Sequence, residues 1–448
     1  MGDSLDTIFK AYDVRGVYPD QIDEDVAKKV GNAFVRFTGA STVVVGHDMR
    51  PSSIPLSRAF IDGATLAGAD VENVGLASTD LVYFASGTLD APGAMFTASH
   101  NPAQYNGIKL CRSGAAPVGE ATGLIQIKEA VAAGLLERAE EAGKVTERDM
   151  LEAFANHVRS FVDVSKLAPL TIVADTANGM GGLVVPKVFE GLPFHLTVLF
   201  GELDGTFPNH PADPIQPENL VALQKAVLDA GADVGLAFDG DADRVFLVDD
   251  RGEPVSGSTT TAIVAKAMLA RTPGGTVVHN LICSKTVPEV IRECGGDPVR
   301  TRVGHSFIKQ VMAETDAIFG GEHSAHYYFR DNWRADSGSI AAMVVLEALS
   351  VAGVPLSELR VPFERYAASG EINTTVGDPL AVIESVAERF EGSDSDRLDG
   401  LTVDLGDWWF NLRPSNTEPL LRLNLEAADR AACDAHVDEV LSIIRAES

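Results

Sequence analysis

The stretch STVVVGHDMRPSSIPLSRAFIDGATLAGADVENVG, residues 41–75, decides the fold. A β-branched run, Thr42–Val45, is followed by a polar loop, a helical pattern of apolar residues, a Gly-rich stop and a second β-branched run. Continuous rather than alternating apolar strands are expected where both faces of a sheet are covered, and the 3.6-residue spacing that follows predicts a covering helix. The order recurs in LTIVADTANGMGGLVVPKVFEGL, where a strand over Leu170–Ala174 precedes a turn and a helix, and again from Thr276 in GTVVHNLICSKTVPEVIRECGGDPVRTRVG. Three such strand–helix–strand units in one chain predict three related mixed α/β domains.

Boundaries follow from the punctuation. Glu141–Arg148 reads as a polar helical stretch closing the first domain. Asp250-Arg251-Gly252-Glu253-Pro254 reads as a hairpin turn, and RYAASGEINTTVGDP, near 365–378, as a linker. The last part differs, with a helix over Leu380–Phe390, two alternating strands around Arg413–Pro419 and a closing helix over Ala431–Arg445. The expected domains are 1–148, 149–250 and 251–366, each α/β, and 367–448, a smaller α+β domain.

Composition narrows the function. The 448 residues carry a formal net charge of -28, with 45% hydrophobic and 22% charged residues. Nucleic acid and anionic membranes are unfavoured partners, because both are held by positive charge. An anionic small substrate requires local Arg, Lys or metal. Most of the 36 basic residues are Arg, and acid excess with little Lys suggests a high-salt cytoplasm. The four cysteines, Cys111, Cys283, Cys294 and Cys433, form no CxxC pair, so neither structural zinc nor a disulfide framework is expected. The N-terminus has no signal-peptide design and no run approaches the length of a membrane span, so the expected location is the cytoplasm.

Four stretches could carry chemistry. In GAMFTASHNPAQYNGIKL, residues 93–110, a strand stops at Ser99-His100-Asn101-Pro102, where Ser99 is a turn residue or a nucleophile. In LAFDGDADRVFLVDD, the carboxylates of Asp239, Asp241 and Asp243 alternate on a loop between two short strands. Their repulsion is relieved by a hard divalent cation, and oxygen-only ligands favour Mg²⁺ or Ca²⁺; a solvated acidic turn is the alternative. An EF-hand is excluded, since Arg244 stands where that loop requires Gly. In GGEHSAHYYFRDN, Glu322, Ser324 and His326 share one face if the chain is extended, either gripping sugar hydroxyls or facing water. In NLRPSNTEPLLRL, Arg413, Ser415, Asn416 and Thr417 form a phosphate cradle or a hairpin turn. Lys285 and His305 sit at strand-to-helix or loop-to-helix junctions, where helix N-termini attract anions, and Tyr12 and Arg15 flank a Gly turn near the N-terminus. No Walker A loop, G-x-S-x-G elbow or H-E-x-x-H motif is present.

TASHNP, DGDADR, GEHSAH and RPSNTEP, in this order across the whole chain, resemble the signatures of the α-D-phosphohexomutases, the phosphomannomutase and phosphoglucomutase enzymes. The resemblance implies four domains around a central cleft and an intramolecular phosphotransferase of the isomerase class. It implies that Ser99 carries a phosphoryl group and that Ser99, Asp239, Asp241 and Asp243 ligate Mg²⁺. Glu322, Ser324 and His326 then contact the sugar, and Arg413, Ser415, Asn416 and Thr417 the non-reacting phosphate. Tyr12, Arg244, Lys285, Gly304 and His305 match further substrate positions, while Arg15, His100, Lys109 and His326 match catalytic ones. A hexose phosphate is the expected substrate and a hexose 1,6-bisphosphate the expected activator, with a monomer or homodimer as the working form. His323 and Ala325 depart from the mannose/glucose type, which commonly carries Met and Gly there, and Asn416 departs from phosphoglucosamine mutases, which often carry Gly. Mannose or glucose phosphate is therefore expected, with glucosamine phosphate, or a non-catalytic sugar-phosphate binder, as the alternatives.

Overall fold

The computed structural model describes residues 2–414 and 420–446, with the backbone alone for residues 2–4 and 305. The chain forms two compact units, residues 1–256 with 324–359, and residues 257–323 with 360–448.

The first unit contains two sheets. In one, the strand Thr42–His47 lies between Asp70–Leu76 and Gly93–Phe96, parallel to both. Tyr105–Arg112 pairs antiparallel with Gly93–Phe96, and Val14–Val17 antiparallel with Tyr105–Arg112. The opening stretch is thus the parallel strand–helix–strand element that its apolar pattern requires. Its helix, Ser53–Leu66, packs on the helix Glu24–Thr38, which Asp23 caps by accepting from the Val26 N–H. The two helices approach so closely that a Cβ at Gly31 would lie 2.2 Å from the Phe60 carbonyl oxygen, and one at Gly63 1.9 Å from that of Lys28. Beneath them Val43, Val45, Phe34, Phe60, Phe96 and Ile108 form the core, with Phe60 and Phe96 edge to face at 5.5 Å.

The second sheet runs Pro254–Val255, Val245–Asp249, Val234–Phe238, Thr171–Asp175, His195–Leu199. Val234–Phe238 is parallel to Thr171–Asp175 and antiparallel to Val245–Asp249, so residues 239–244 form the connection at its carboxyl end. In both sheets the loop of interest leaves the carboxyl end of a buried strand, where α/β folds place ligands.

The second unit holds three parallel strands, Asp297–Thr301, Thr276–Asn280 and Phe319–Gly321. It also holds an antiparallel sheet in the order Ala367–Thr375, Leu420–Ala427, Trp408–Pro414, Leu401–Asp404, Asp394–Asp396. The helices Pro379–Arg389 and Arg430–Ala446 contribute Val382, Val386, Val440 and Ile444 to its core. Among the described residues no single helix is long and apolar enough to cross a membrane.

Two expectations are corrected. Glu141–Arg148 is not helical: Val145–Glu147 is a strand parallel to Asp70–Leu76. All three of its residues are exposed, so it lacks the burial periodicity by which strands are recognised, and its order comes from edge contacts such as Arg148 Nε donating to Glu72 at 2.7 Å. The linker read at 365–378 contains the nine-residue strand Ala367–Thr375, broken by a register shift between Ala368 and Glu371, with Gly370 at φ 70°. Its small and polar composition is that of a sheet edge.

Candidate active site

Ser99 follows the strand Gly93–Phe96 and holds φ at 49°, a left-handed conformation that costs a residue with a side chain roughly 1–2 kcal/mol. Such strain persists where surrounding structure enforces it, most often at functional sites. The Ser99 N–H donates to Thr97 Oγ1 at 3.0 Å. Its hydroxyl, on a residue only 6% exposed, donates to Asp239 Oδ2 at 2.8 Å and lies 3.3 Å from His100 Nδ1. Two signatures 140 residues apart therefore meet at one hydrogen bond.

The carboxylates of Asp239, Asp241 and Asp243 are buried, and one oxygen of each lies within 4.8 Å of the others. Lys109, from the strand Tyr105–Arg112, places its ammonium 2.7 Å from Asp241 Oδ2 and 2.7 Å from Asp243 Oδ2. Thr79 donates its hydroxyl to Asp241 Oδ2 at 2.6 Å and its N–H to the Asp241 carbonyl oxygen at 3.1 Å. Burial pushes the Asp239 carboxyl up to about 8, against the pull of Arg244. Burial and the charge on Asp241 also raise Asp243, whereas Lys109 and Thr79 overcome burial and hold Asp241 well below the usual carboxylate range.

The Oδ1 atoms of Asp241 and Asp243 are buried without a hydrogen-bond partner among the described residues. Two such oxygens, beside a third carboxylate and a hydroxyl, fit a hard divalent cation in donor type and in unmet valence.

Arg244 ties the two loops together. Its Nε donates to Asp239 Oδ2 at 2.9 Å, and its Nη2 to His100 Nδ1 at 2.7 Å and toward Ser99 Oγ at 3.5 Å. Burial and the Arg244 charge hold the His100 imidazole neutral, lowered to about 3, so Nδ1 accepts. Arg15 reaches the same loop from the strand Val14–Val17, donating to Asn101 Oδ1 at 2.6 Å and the Ala98 carbonyl oxygen at 3.4 Å, while pairing with Asp13. Tyr12 is half-buried just before that strand. His326 pairs with Arg244 through an isolated bridge, and a ring nitrogen lies within 4.8 Å of Asp243 and Asp336 carboxylate oxygens. Ser324 Oγ is 3.1 Å from His326 Nδ1.

The structure thus gathers Arg15, Ser99, His100, Lys109, the three aspartates, Arg244 and His326 in the first unit. Glu322, Ser324 and His326 do not share a face of extended chain: residues 323–324 form a turn and Ala325 is left-handed at φ 64°. Glu322 belongs to the second unit, where its carboxylate accepts from the Gly304 N–H at 3.1 Å and Asn280 Nδ2 at 3.2 Å. There too, Lys285 Nζ donates to Asp404 at 2.6 Å and the Gly406 carbonyl oxygen at 3.2 Å, at the wall of a cavity of about 620 Å³. Arg413 Nη2 donates to Glu371 at 2.8 Å. His305 opens the helix His305–Thr315, its side chain lying outside the described residues, as do Ser415, Asn416 and Thr417. Sequence reasoning missed Thr79, Asp48 and Arg50. A hydroxyl at a helix start and a D-x-R in a polar loop carry ordinary turn readings, and only tertiary pairing reveals them.

Comparison with known proteins identifies the family. Residues 6–137, 151–252 and 256–366 match the phosphoglucomutase/phosphomannomutase α/β/α domains I, II and III, and residues 371–443 match the C-terminal domain. A phosphohexose mutase of Xanthomonas campestris is 41% identical over 98% of this chain and 99% of its own length. A phosphomannomutase of Salmonella montevideo is 38% identical over 98% and 99%. The crystal structure of a phosphoglucomutase/phosphomannomutase family protein from Burkholderia thailandensis superposes with a TM-score of 0.90 at 31% identity, covering 98% of this chain and 97% of that one. With all four domains matched and identity sustained from end to end, the chain belongs to the phosphoglucomutase/phosphomannomutase family.

Proposed function

We propose that the chain interconverts the 1- and 6-phosphates of a hexose, mannose or glucose, through a phosphorylated Ser99 and a hexose 1,6-bisphosphate. The observation that carries this reading is the Ser99 hydroxyl, held in a strained turn 2.8 Å from Asp239 beside two carboxylate oxygens that have no hydrogen-bond partner among the described residues. Relatives named phosphohexose mutase and phosphomannomutase support the substrate class.

Phosphoryl transfer asks for in-line placement and neutralised charge rather than elaborate covalent chemistry. A free sugar hydroxyl attacks phosphorus on phospho-Ser99; the bond from phosphorus to Oγ breaks as that to the sugar oxygen forms. The hydroxyl proton passes to a nearby base, for which the His326 imidazole is the candidate, while the cations of Lys109 and Arg15 assist the transfer by stabilising the charge that develops. The bisphosphate then turns over, and its other phosphoryl group returns to Ser99. Arg244 is placed to stabilise charge on Oγ and on the moving group. Asp239, Asp241 and Asp243 would hold Mg²⁺, which when bound with the phosphoserine supplies further charge neutralisation. Neutral His100 accepts from Arg244 and so orients that guanidinium. Tyr12, Lys285, Gly304, Glu322, Ser324 and Arg413, with His305, Ser415, Asn416 and Thr417, remain the proposed substrate contacts. The ion pairs of Lys285 with Asp404 and of Arg413 with Glu371 must open or share their cations when an anionic sugar binds.

A panel of mannose 1-, glucose 1- and glucosamine 1-phosphate, with Mg²⁺ and a hexose 1,6-bisphosphate primer, tests the reading. Turnover of the first two is expected. Turnover confined to the amino sugar identifies a phosphoglucosamine mutase, and turnover of none a non-catalytic binder. A high-salt cytoplasmic setting is proposed from the sequence.

A further inference from the structure

We infer that Arg50, which touches neither the Asp239, Asp241 and Asp243 carboxylates nor the Ser99 hydroxyl, is the positioning residue that sets the Ser99 loop for phosphoryl transfer. The inference rests on the mutase reading for its kinetic consequence, but its structural basis is independent. Arg50 lies in the polar loop after the strand Thr42–His47, and its side chain is 0% exposed. A guanidinium has five N–H donors, and here each has an acceptor. Nη2 donates to the carbonyl oxygens of Ser99 at 2.8 Å and Asn101 at 2.7 Å. Nη1 donates to those of Pro102 at 2.8 Å and Tyr105 at 3.1 Å. Nε donates to Asp48 Oδ2 at 3.2 Å. Four of the five bonds thus end on the backbone of one loop, residues 99–105.

The clamp is itself fixed. Asp48 Oδ1 accepts the Arg50 N–H at 2.9 Å and the Ser53 hydroxyl at 2.5 Å, and the Phe207 ring covers the guanidinium with its centroid 4.9 Å from Cζ. From the other side, Gly240 packs under the carbonyl that Arg50 grips; a Cβ there would lie 2.3 Å from the Ser99 oxygen. The Ser99 carbonyl is therefore held between a guanidinium and the metal-loop backbone, which fixes the peptide plane of a left-handed residue and so the direction of Oγ. Loop-peptide carbonyls also need burial partners, and one cation provides them without lending a charge to Oγ itself.

A purely structural Arg50 would lower stability, and activity only through the folded fraction. A positioning Arg50 lowers kcat in the folded protein. Arg50→Lys keeps the charge but cannot span four carbonyls. A nucleophile misplaced by about 1 Å costs on the order of 100-fold in rate. We expect kcat for hexose phosphate to fall on the order of 100-fold per folded molecule, with KM within about threefold. Amide exchange across residues 97–106 should accelerate by roughly tenfold or more, whether or not the wild type turns over sugar. If Arg50→Lys does not fold, Gly240→Ala, which pushes the same carbonyl from below, is judged by the same two criteria. Unchanged exchange in the loop, or a kcat loss that merely follows the folded fraction, overturns the inference. Wild type inactive on every hexose phosphate refutes the mutase reading instead, and loop exchange then decides the clamp.

Discussion

Replacing Lys109 with Met tests the electrostatics of the acidic site. The substitution keeps an unbranched stem in the strand Tyr105–Arg112 and removes one ammonium that lies 2.7 Å from each of two buried carboxylates. Removing one partner of a buried pair typically costs about 3–5 kcal/mol, because a charge is left uncompensated. With about 2–4 °C per kcal/mol for a domain of this size, the melting temperature in EDTA should fall by roughly 6–20 °C. Mg²⁺ should reverse much of the loss. A unit charge about 4 Å away at an effective dielectric of about 20 is worth up to about 4 kcal/mol, so even a third of that tightens Mg²⁺ binding about tenfold. Thermal melts with and without Mg²⁺, and calorimetric titration of the apo protein, measure both quantities. A variant that melts no lower than wild type in EDTA, or binds Mg²⁺ no more tightly, would refute the assignment of Lys109 as the partial counter-charge of Asp241 and Asp243.

Two further outcomes concern the fold. His279 is buried in the strand Thr276–Asn280, and burial lowers its imidazole to about 4. Unfolded, it titrates near 6.5, so its stabilising contribution is complete above that pH and is lost as pH falls toward 4. The loss amounts to about 2 kcal/mol between pH 7 and pH 5; urea unfolding of His279→Asn should show a correspondingly flatter pH dependence, and an unchanged slope would count against the burial argument. Gly63→Ala should destabilise by about 3 kcal/mol, since its Cβ would meet the Lys28 carbonyl and drive two helices apart; a neutral substitution in chemical denaturation would contradict the helix contact.

The sequence carried the doubly covered strands openly, because burial on both faces leaves an uninterrupted apolar run such as Val43-Val44-Val45. It hid the edges. Val145–Glu147 and Ala367–Thr375 pair through their backbones at sheet edges, with only exposed or half-buried side-chain contacts to add to it, so their composition reads as helix or linker. The same division holds at the site. Asp239, Asp241 and Asp243 stand out because their carboxylates alternate on one loop, whereas Ser99 reads as turn or nucleophile from its own stretch and is singled out by the family resemblance. Arg50 and Thr79 do not stand out, since they act on carbonyl and carboxylate oxygens far along the chain. The turn at residues 323–324, with left-handed Ala325, also escaped the extended-chain reading, because no residue there advertises a positive φ as Gly would.

The central claim is that Ser99 carries the phosphoryl group. Purified protein incubated with glucose 1,6-bisphosphate and Mg²⁺, then mapped by mass spectrometry, should carry a single phosphoryl group on Ser99. Ser99→Ala should carry none and should melt like the wild type while losing mutase turnover. Labelling of another residue, or wild-type turnover by Ser99→Ala, would contradict the account.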